Sequence, residues 1–270
     1  MKATKIFPAL IGILLLVSGV FAQTKPSTFF IVETMKTKPG MSDEYVKSEM
    51  EVWKKVHQER QKLGKIAGWT LYQVRYPAGT STAYDYVTVT SVNGWAGIGE
   101  FYTGWDFEKI GKGLTKEQMA IVNKTETLRD LTTHQVYFGE DFISAPNLGT
   151  VIPTYLWVNY FKVPSNHWSE YYDMETKLVK PVHIETMASG KGKSAWGFYS
   201  RVMPYDPSTY PDNAVTIDFF NKWEDMDANI DYQAALKKVH PGMSEEYYGR
   251  QIEEARTMLK AELWVRLDGI

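Results

Sequence analysis

Residues 44–57, EYVKSEMEVWKKVH, and residues 170–183, EYYDMETKLVKPVH, are two versions of one segment, 126 positions apart. Each begins with Glu-Tyr, has a second glutamate at its sixth position and ends on a histidine. Apolar residues recur in each at intervals of three and four, which is the spacing of an amphipathic helix. The sequence therefore predicts the same helix twice.

The correspondence continues along the chain after these segments. Gly64 matches Gly190, and two single-residue gaps then bring further pairs into line. These pairs are Trp69 with Trp196, Tyr72 with Tyr199, Pro77 with Pro204, Val87 with Val215, Thr88 with Thr216 and Trp95 with Trp223. Their order and spacing indicate an old internal duplication. We predict one module at residues 28–143, a linker at 144–152 and a second module at 153–270.

Each predicted module has the element order strand, helix, strand, strand, helix, strand. Aromatic and β-branched residues mark the strands, and Pro and Gly mark the turns between them. Ser42 is the predicted N-cap of the first helix, and Gly64 is its predicted C-cap. The predicted strands are 29–35, 69–76, 84–91 and 134–138 in the first module, and the outer strands of the second are 155–163 and 263–267.

This β-α-β-β-α-β order is the ferredoxin-like, or split βαβ, arrangement. Taken twice, it resembles the dimeric α+β barrel superfamily, which includes antibiotic-biosynthesis-monooxygenase-like and NIPSNAP-like proteins. The resemblance rests on element order and duplication and includes no catalytic motif. It implies an α+β fold in which two ferredoxin-like repeats pack their sheets face to face and form the barrel within one chain.

Composition excludes several classes of function. Apolar residues make up 44% of the chain, which is enough for a packed core and too much for a disordered protein. The net charge of −2 lacks the basic excess that nucleic-acid binding requires. The chain has no cysteine, so disulfides, thiolate metal sites and a cysteine nucleophile are excluded.

The first 22 residues have the pattern of a cleaved export signal. Lys2 and Lys5 form a basic start, residues 6–20 are an uncharged apolar run, and Val20 and Ala22 supply the small residues of a cleavage site. The run is shorter than the roughly 20 residues that a membrane-spanning helix needs. We therefore expect a soluble protein, periplasmic or secreted, with no membrane span in the mature chain.

Export makes a direct prediction about the N-terminus of the mature protein. Cleavage after Ala22 leaves Gln23 as the first residue. N-terminal sequencing of the protein recovered outside the cytoplasm should read Gln-Thr-Lys-Pro. Recovery of a folded protein that still begins at Met1 would contradict the prediction.

The predicted helices carry the first group of candidate functional residues. Glu49, Trp53 and His57 form a row at intervals of four, and Glu175 and His183 repeat it. Helical geometry turns both glutamates toward the sheet and places the histidines at the edge of the apolar face. One interpretation is a Glu/His pocket that binds a ligand or transfers a proton. The alternative, which we favour, is a buried glutamate paired with an Arg, a Lys or a tyrosine hydroxyl, with Arg60 as a possible local partner.

The strands carry the second group of candidates. Alternation places Phe29, Ile31, Glu33 and Met35 on one face of the first strand, with Tyr155, Trp157, Asn159 and Phe161 as counterparts, and we expect this face to line the barrel interior. Aromatic and polar residues there can line a cavity for a small amphipathic ligand, or can simply fill the space. The candidate lining residues are Glu33, Tyr72, Arg75, Asn159, Tyr199 and Arg201.

No recognised metal, nucleotide or hydrolase motif is present. No two of the five histidines have the spacing of a helical zinc motif, so we predict no metal site. Gly97 and Gly99 lack the third glycine and the Lys-Ser/Thr pair of phosphate-binding loops. The sequence identifies no cofactor and leaves the oligomeric state open.

Three functions remain possible from the sequence. The first is an exported protein that binds a small or amphipathic ligand in a duplicated α+β barrel. The second is an oxidoreductase or isomerase of the α+β-barrel type that uses an interior Glu, His or Tyr. The third is an envelope interaction protein with no small-molecule site. Folds of this kind host unrelated functions, so the fold alone cannot choose among them.

Overall fold

The computed structural model describes residues 27–103, 106–149 and 152–270. The predicted export signal at residues 1–22 lies outside these ranges. None of the helices in the described part is long and apolar enough to cross a membrane.

The first half begins with strand β1 and one long helix, α1. Helix α1 has three consecutive parts, of which the middle one is π-helical and the outer two are α-helical: Ser42–Ser48, Glu49–Trp53 and Lys54–Lys62. The other elements are β1 Thr28–Thr37, β2 Gly68–Tyr76, β3 Tyr86–Asn93, α2 Gly94–Thr103, α3 Phe107–Ile110, α4 Lys116–Val122, α5 Thr125–Leu128 and β4 Arg129–Ser144.

The second half has a long helix of the same three-part construction. Helix α6 is α-helical over Trp168–Asp173, π-helical over Met174–Val179 and α-helical over Lys180–Met187. The other elements are β5 Tyr155–Lys162, β6 Ala195–Met203, β7 Ala214–Phe220, α7 Tyr232–Val239, α8 Glu245–Ala255 and β8 Thr257–Gly269. In both long helices the π-helical part contains the glutamate that the sequence comparison singles out.

The eight strands form a closed barrel in the order β1-β3-β2-β8-β5-β7-β6-β4, and β4 pairs back with β1. All of the pairs are antiparallel. Each half contributes four adjacent strands in the same order: last, first, third, second. The β2–β8 and β4–β6 pairs join the halves, so the fold is an α+β barrel.

The face of β1 that we expected inside the barrel lies outside it. Phe30 and Val32 point into the barrel, whereas Phe29 and Ile31 pack with Tyr45 of α1. The face of β5 that we expected inside the barrel also lies outside it, since Phe161 packs against α6. Both faces of these strands are apolar because one is covered by helices and the other by the opposite strands. Hydrophobic alternation therefore cannot identify the inner face.

Several predicted boundaries also differ from the structure. Strands β4 and β8 are 16 and 13 residues long, and the sequence predicts only their apolar centres at 134–138 and 263–267. Polar residues alternate with apolar ones in the outer parts of these strands, which were not among the predicted strands, and these parts continue the hydrogen-bonded ladder. Ser42 is not the N-cap of α1, because Met41 holds that position and the Ser42 hydroxyl lies 2.6 Å from the Tyr86 hydroxyl.

Gly64 fits its predicted role at the end of α1, with a φ of 70° that favours glycine. A different constraint acts on Gly197 in β6. A Cβ atom at this position would lie 2.4 Å from the Tyr199 hydroxyl oxygen, because the Tyr199 ring folds back over the glycine inside the barrel. The position of the Tyr199 ring therefore depends on the missing side chain at Gly197.

Gly197→Ala should destabilise the protein by about 1–3 kcal/mol, since the added methyl group must displace a buried ring in a packed interior. Gly99→Ala is the matched control, because Gly99 lies inside α2 with no atom near its virtual Cβ. This control should be neutral or more stable by up to about 1 kcal/mol through helix propensity. Urea unfolding at constant pH measures both, and equal midpoints for the two variants would contradict the role of Gly197.

Candidate functional site

A cavity of about 120 Å³ lies inside the barrel. All eight strands contribute to its wall, which is made mostly of aliphatic side chains and aromatic rings. The volume is close to that of an engineered apolar cavity of about 150 Å³ that binds benzene. The lining residues are Phe30, Val32, Tyr72, Val89, Tyr137, Leu156, Val158, Tyr160, Tyr199, Val215, Ile217, Phe219 and Trp264.

A buried carboxylate, Glu262 of β8, is hydrogen-bonded to two of the lining residues at one end of the cavity. Only 5% of the residue is exposed. Its oxygens accept hydrogen bonds from the Tyr84 hydroxyl at 2.7 and 2.8 Å, the Trp264 Nε1 at 2.9 Å and the Tyr160 hydroxyl at 3.3 Å. Tyr160 and Trp264 also line the cavity, so Glu262 supplies the charge at its polar end.

The ammonium group of Lys260 completes this network. Lys260 lies two residues before Glu262 on the same face of β8 and donates to Glu262 Oε1 at 2.7 Å. The Lys260 Nζ atom also lies 4.2 Å from the centroid of the Tyr160 ring and 5.3 Å from that of the Tyr84 ring. Both distances are within the range of a cation–π interaction.

A polar vestibule of about 330 Å³ adjoins this end of the cavity and shares Val32 and Tyr160 with it. The hydroxyl of Tyr137, which lines the cavity, donates to two residues of the vestibule, to Gln135 Oε1 at 3.1 Å and to Asp212 Oδ2 at 3.4 Å. The polar residues that line the vestibule are Thr34, Tyr84, Thr133, Gln135, Tyr160, Thr209, Tyr210, Asp212 and Lys260.

Three tyrosines at the polar end are held as hydrogen-bond donors. Burial raises the pKa of Tyr84, Tyr137 and Tyr160 well above the usual value, and nearby carboxylates add to the effect. The carboxylate is Glu262 for Tyr84 and Tyr160 and Asp212 for Tyr137. Phenols with a raised pKa keep their protons at neutral pH, so all three hydroxyls can donate.

Only some of the candidate residues predicted on the strands line the cavity. Tyr72 and Tyr199 line the cavity, and burial raises the pKa of Tyr72 to about 12. The prediction that Glu33, Arg75 and Asn159 line the interior is wrong. Arg75 is exposed, and alternation along β1 and β5 puts the other two on the outer face of the barrel.

Arg201 lies near the polar end but is turned to a loop. Its Nη2 atom donates to the Tyr210 carbonyl at 2.6 Å and also to the Asp212 carbonyl, and its Nη1 lies 3.9 Å from an Asp212 carboxylate oxygen. The guanidinium group also lies 5.0 Å from the Tyr210 ring centroid. Arg201 therefore fixes the segment that carries Asp212 and is not among the residues that line the cavity.

The helix candidates lie between helices and sheet, outside the barrel. Glu49 and Glu175 are 5% and 0% exposed, which confirms that both are buried. Glu175 Oε1 pairs with Arg256 Nη1, whose guanidinium lies 3.7 Å from the Phe161 ring centroid. Burial raises the pKa of Glu49 to about 7, against the effects of Tyr45 and Arg129. The arginine whose charge lowers the pKa of Glu49 is Arg129 and not Arg60.

The histidines of the two helices pack against the paired tryptophans. The His57 ring stacks on Trp69 with centroids 5.0 Å apart, and His183 lies 5.3 Å from Trp196 at 43°. The prediction that His57 lies at the edge of the helix face is wrong, because it is only 7% exposed. Burial lowers its pKa to about 3. His57 is thus uncharged at neutral pH.

The row of helix candidates does not converge on the cavity. Trp53 Nε1 donates to the Thr125 hydroxyl at 3.0 Å, on the outer side of α1. His183 Nδ1 lies 3.3 Å from Lys193 Nζ, and burial lowers the pKa of the histidine well below its usual value. None of Glu49, Trp53, His57, Glu175 and His183 is a lining residue of the interior cavity.

Glu33 instead takes part in a chain of polar groups on the outer face of the barrel. Glu33 Oε1 lies 3.0 Å from His134 Nδ1, and His134 Nε2 lies 2.6 Å from the Tyr102 hydroxyl. The chain therefore joins β1, β4 and α2. A histidine between a carboxylate and a phenol can move a proton from one to the other.

The sequence analysis missed the residues at the polar end of the cavity. Tyr84, Tyr160, Lys260 and Glu262 are in none of the predicted sites. The stretch 258–265, MLKAELWV, alternates polar and apolar residues, which we would assign to a strand with one face in water. The signal that was available is Trp264, which lies on the same face as Lys260 and Glu262 and is too large and apolar for a solvated face.

Across residues 27–103, 106–149 and 152–270, no group of three or more His, Asp or Glu side chains is arranged to hold a metal ion. The prediction of no metal site concerns the whole chain and stays a prediction.

Comparisons with known proteins identify the fold. No family model matches the chain, and neither does any curated protein. Among solved structures, it is similar to a protein from Fusobacterium nucleatum described as a candidate monooxygenase, with a TM-score of 0.53 and 8% identity over 91% of this chain and 95% of that one.

Two further structures give similar values. One is a tryptophan-to-phenylalanine variant of chlorite dismutase from Candidatus Nitrospira defluvii, with a TM-score of 0.51 and 14% identity over 91% of this chain and 92% of that one. The other, from Lactobacillus acidophilus and also described as a candidate monooxygenase, has a TM-score of 0.51 and 12% identity over 89% and 94%. At this level of identity the comparisons show the fold alone, which is an α+β barrel.

The raised pKa of Glu49 predicts how stability changes with pH. A carboxyl group whose pKa in the folded state is near 7 binds its proton more tightly there than in the unfolded state. Its contribution to the free energy of unfolding is therefore fully present below about pH 4.5 and is lost as the pH rises through 7. Glu49→Gln removes the titration. Relative to this variant, the wild-type free energy of unfolding should fall between pH 4.5 and 7.5 by on the order of 2 kcal/mol.

Two controls complete this test, which uses urea unfolding. Glu49→Ala removes the polar group altogether and should cost about 1–3 kcal/mol at pH 4.5. Glu51→Gln, on the exposed side of the same turn, should leave the pH dependence of the wild type unchanged. A difference between wild type and Glu49→Gln that is constant with pH would contradict the buried titration.

Proposed function

We propose that this protein binds a small, mainly apolar ligand inside the barrel. The observation that carries the proposal is the cavity of about 120 Å³ with one charged, hydrogen-bonding end at Glu262. An apolar wall with a few convergent polar groups is the usual construction of a small-molecule site. The wall accommodates a body the size of one aromatic ring, and the polar end accommodates one hydrogen-bonding group.

The contacts of Glu262 favour binding over proton abstraction. Its oxygens accept from Tyr84, Tyr160, Trp264 and Lys260. A carboxylate whose lone pairs are engaged by four donors is better suited to hold a partner than to remove a proton. The neighbouring phenols keep their protons as well, because burial raises the pKa of Tyr84 and Tyr160.

An oxidoreductase or isomerase is the second candidate function. The chain Glu33–His134–Tyr102 favours it, since a histidine between two proton-bearing groups suits general acid–base chemistry. These residues are on the outer face of the barrel, whereas the cavity is inside it. The two candidate functions therefore predict that substitutions at different positions will abolish activity. His134→Gln would abolish a turnover that uses this chain and would leave binding in the cavity unchanged.

We propose further that the chain is a tandem of two ferredoxin-like modules and that it is exported. The identical strand order of the two halves supports the tandem, as do the matching π-helical turns around Glu49 and Glu175. The basic start and apolar run of residues 1–22 support export. A cavity with a built polar end also favours a small-molecule role over that of an interaction protein without such a site.

If the ligand binds in the cavity, a substitution that narrows the cavity should lower its affinity. Val158 lines the cavity and is 1% exposed. Val158→Leu should weaken binding of 2-phenylethanol, a neutral amphipathic probe, about tenfold or more, because one methylene in a closed apolar site costs about 1–3 kcal/mol. Isothermal titration calorimetry measures the affinity directly.

Val56→Leu is the matched control for this experiment. Val56 is equally buried but lies on α1, outside the barrel, so the same chemical change there should leave the affinity unaltered. If 2-phenylethanol binds both variants equally, or fails to bind the wild type in the millimolar range, the interior cavity is not the binding site.

A further inference from the structure

The polar end of the cavity has the construction of a site for an organic cation. Two phenol rings, Tyr84 and Tyr160, flank a buried carboxylate, Glu262, and present their ring faces to one point. The ammonium group of Lys260 occupies that point. It is 2.7 Å from Glu262 Oε1 and 3.0 Å from the Tyr84 hydroxyl oxygen. The protein thus fills an aromatic and anionic cage with its own amine.

Lys260 is more exposed to solvent than the groups around it. Its side chain is 46% exposed and lines the vestibule, whereas Glu262 is buried. Because its side chain is half exposed, the ammonium group of Lys260 can reach water while the alkyl stem stays in place. The flexible lysine side chain can therefore swing into the vestibule when another ammonium group takes its place. This exchange conserves the charge of the site.

Charge also argues against an acidic ligand. Glu262 and Asp212, whose side chains are 5% and 14% exposed, both lie at this end. The guanidinium of Arg201 is turned toward the carbonyls of Tyr210 and Asp212. Among the described residues that line the vestibule, Lys260 is the one cation, and a carboxylate or phosphate entering here would have to compete with Glu262 for it.

We propose that the ligand of this barrel is an amphipathic amine. Its ammonium group replaces that of Lys260 at Glu262, Tyr84 and Tyr160, and its apolar body enters the cavity. Ammonium groups over tyrosine faces gain a cation–π attraction, which grows when the site is shielded from water. The inference rests on the proposed binding function and specifies its ligand class.

The test compares two probes of nearly equal shape, 2-phenylethylamine and 2-phenylethanol, by isothermal titration calorimetry at pH 7. The wild type should bind the amine more tightly than the alcohol. Lys260→Met keeps the apolar stem and removes the competing ammonium group, so it should increase the ratio of amine to alcohol affinity about tenfold. Lys162→Met, at an exposed position on β5, removes the same charge elsewhere and should change neither affinity.

Glu262→Gln removes the negative charge of the site, whereas Lys260→Met removes the positive one. It keeps an acceptor for the surrounding donors and removes the charge, so it should abolish the preference for the amine and leave the alcohol bound. Lys260→Met tests the same point without depending on the folding of the Glu262 variant.

The outcomes separate the inference from the function on which it rests. Equal affinities for the two probes in the wild type and in Lys260→Met would contradict the proposal of an amine ligand. They would not contradict the proposed binding of a small ligand in the cavity. Failure of both probes to bind would overturn the cavity function and the amine with it. An amine affinity that Glu262→Gln leaves unchanged, in a variant with the wild-type melting temperature, would also overturn the inference.

Discussion

Closure of the barrel is the constraint on which the rest of this structure depends. Each of the eight strands pairs on both sides, and the last pair, β4 with β1, closes the barrel. Closure is possible only because each half supplies two outer strands to the other, at β2–β8 and β4–β6. With no open strand edge, the interior is shielded from water along its whole wall. Every polar group inside must therefore find its partner inside.

That requirement explains the arrangement at Glu262. A carboxylate buried away from water is costly unless it is paired and hydrogen-bonded. Here the donors come from β5, from β8 itself and from the segment before β3, so three parts of the chain converge on one group. The polar end of the cavity is consequently a fixed structure whose parts constrain one another. Lys260 is the most exposed member of this network.

The outer face of the barrel meets a different requirement. The helices cover it, and the contacts between helix and sheet are aromatic in both halves. His57 with Trp69 and His183 with Trp196 illustrate this packing. Burial keeps these histidines uncharged by lowering the pKa of each. They belong to the packing that holds helix to sheet, and the chemical groups of the cavity lie on the other side of the strands.

Sequence patterns were sufficient to predict the order of the elements. They were insufficient to predict which face of each strand points into the barrel. The repeat of Glu-Tyr, Glu and His placed both long helices, and Trp69 and Trp196 placed the strands beneath them. Strand β1 is apolar on both faces, so nothing in Phe29 to Val32 distinguishes inside from outside. Glu262 was missed for a related reason, since polar alternation is typical of a solvated strand. Its burial depends on Tyr84 and Tyr160, which are distant in sequence.

The π-helical turns in α1 and α6 have a consequence for how these helices meet the sheet. Such a turn contains one residue more than the α-helical turn that it replaces. All later side chains are thereby rotated by about 100° around the axis, which is one residue's share of the helical turn. This rotation turns His57 inward from the edge where an uninterrupted helix would place it. Tyr45 and His57 can thus face one sheet although their spacing does not match an α-helix. A single extra residue in each helix sets the azimuth of its second half.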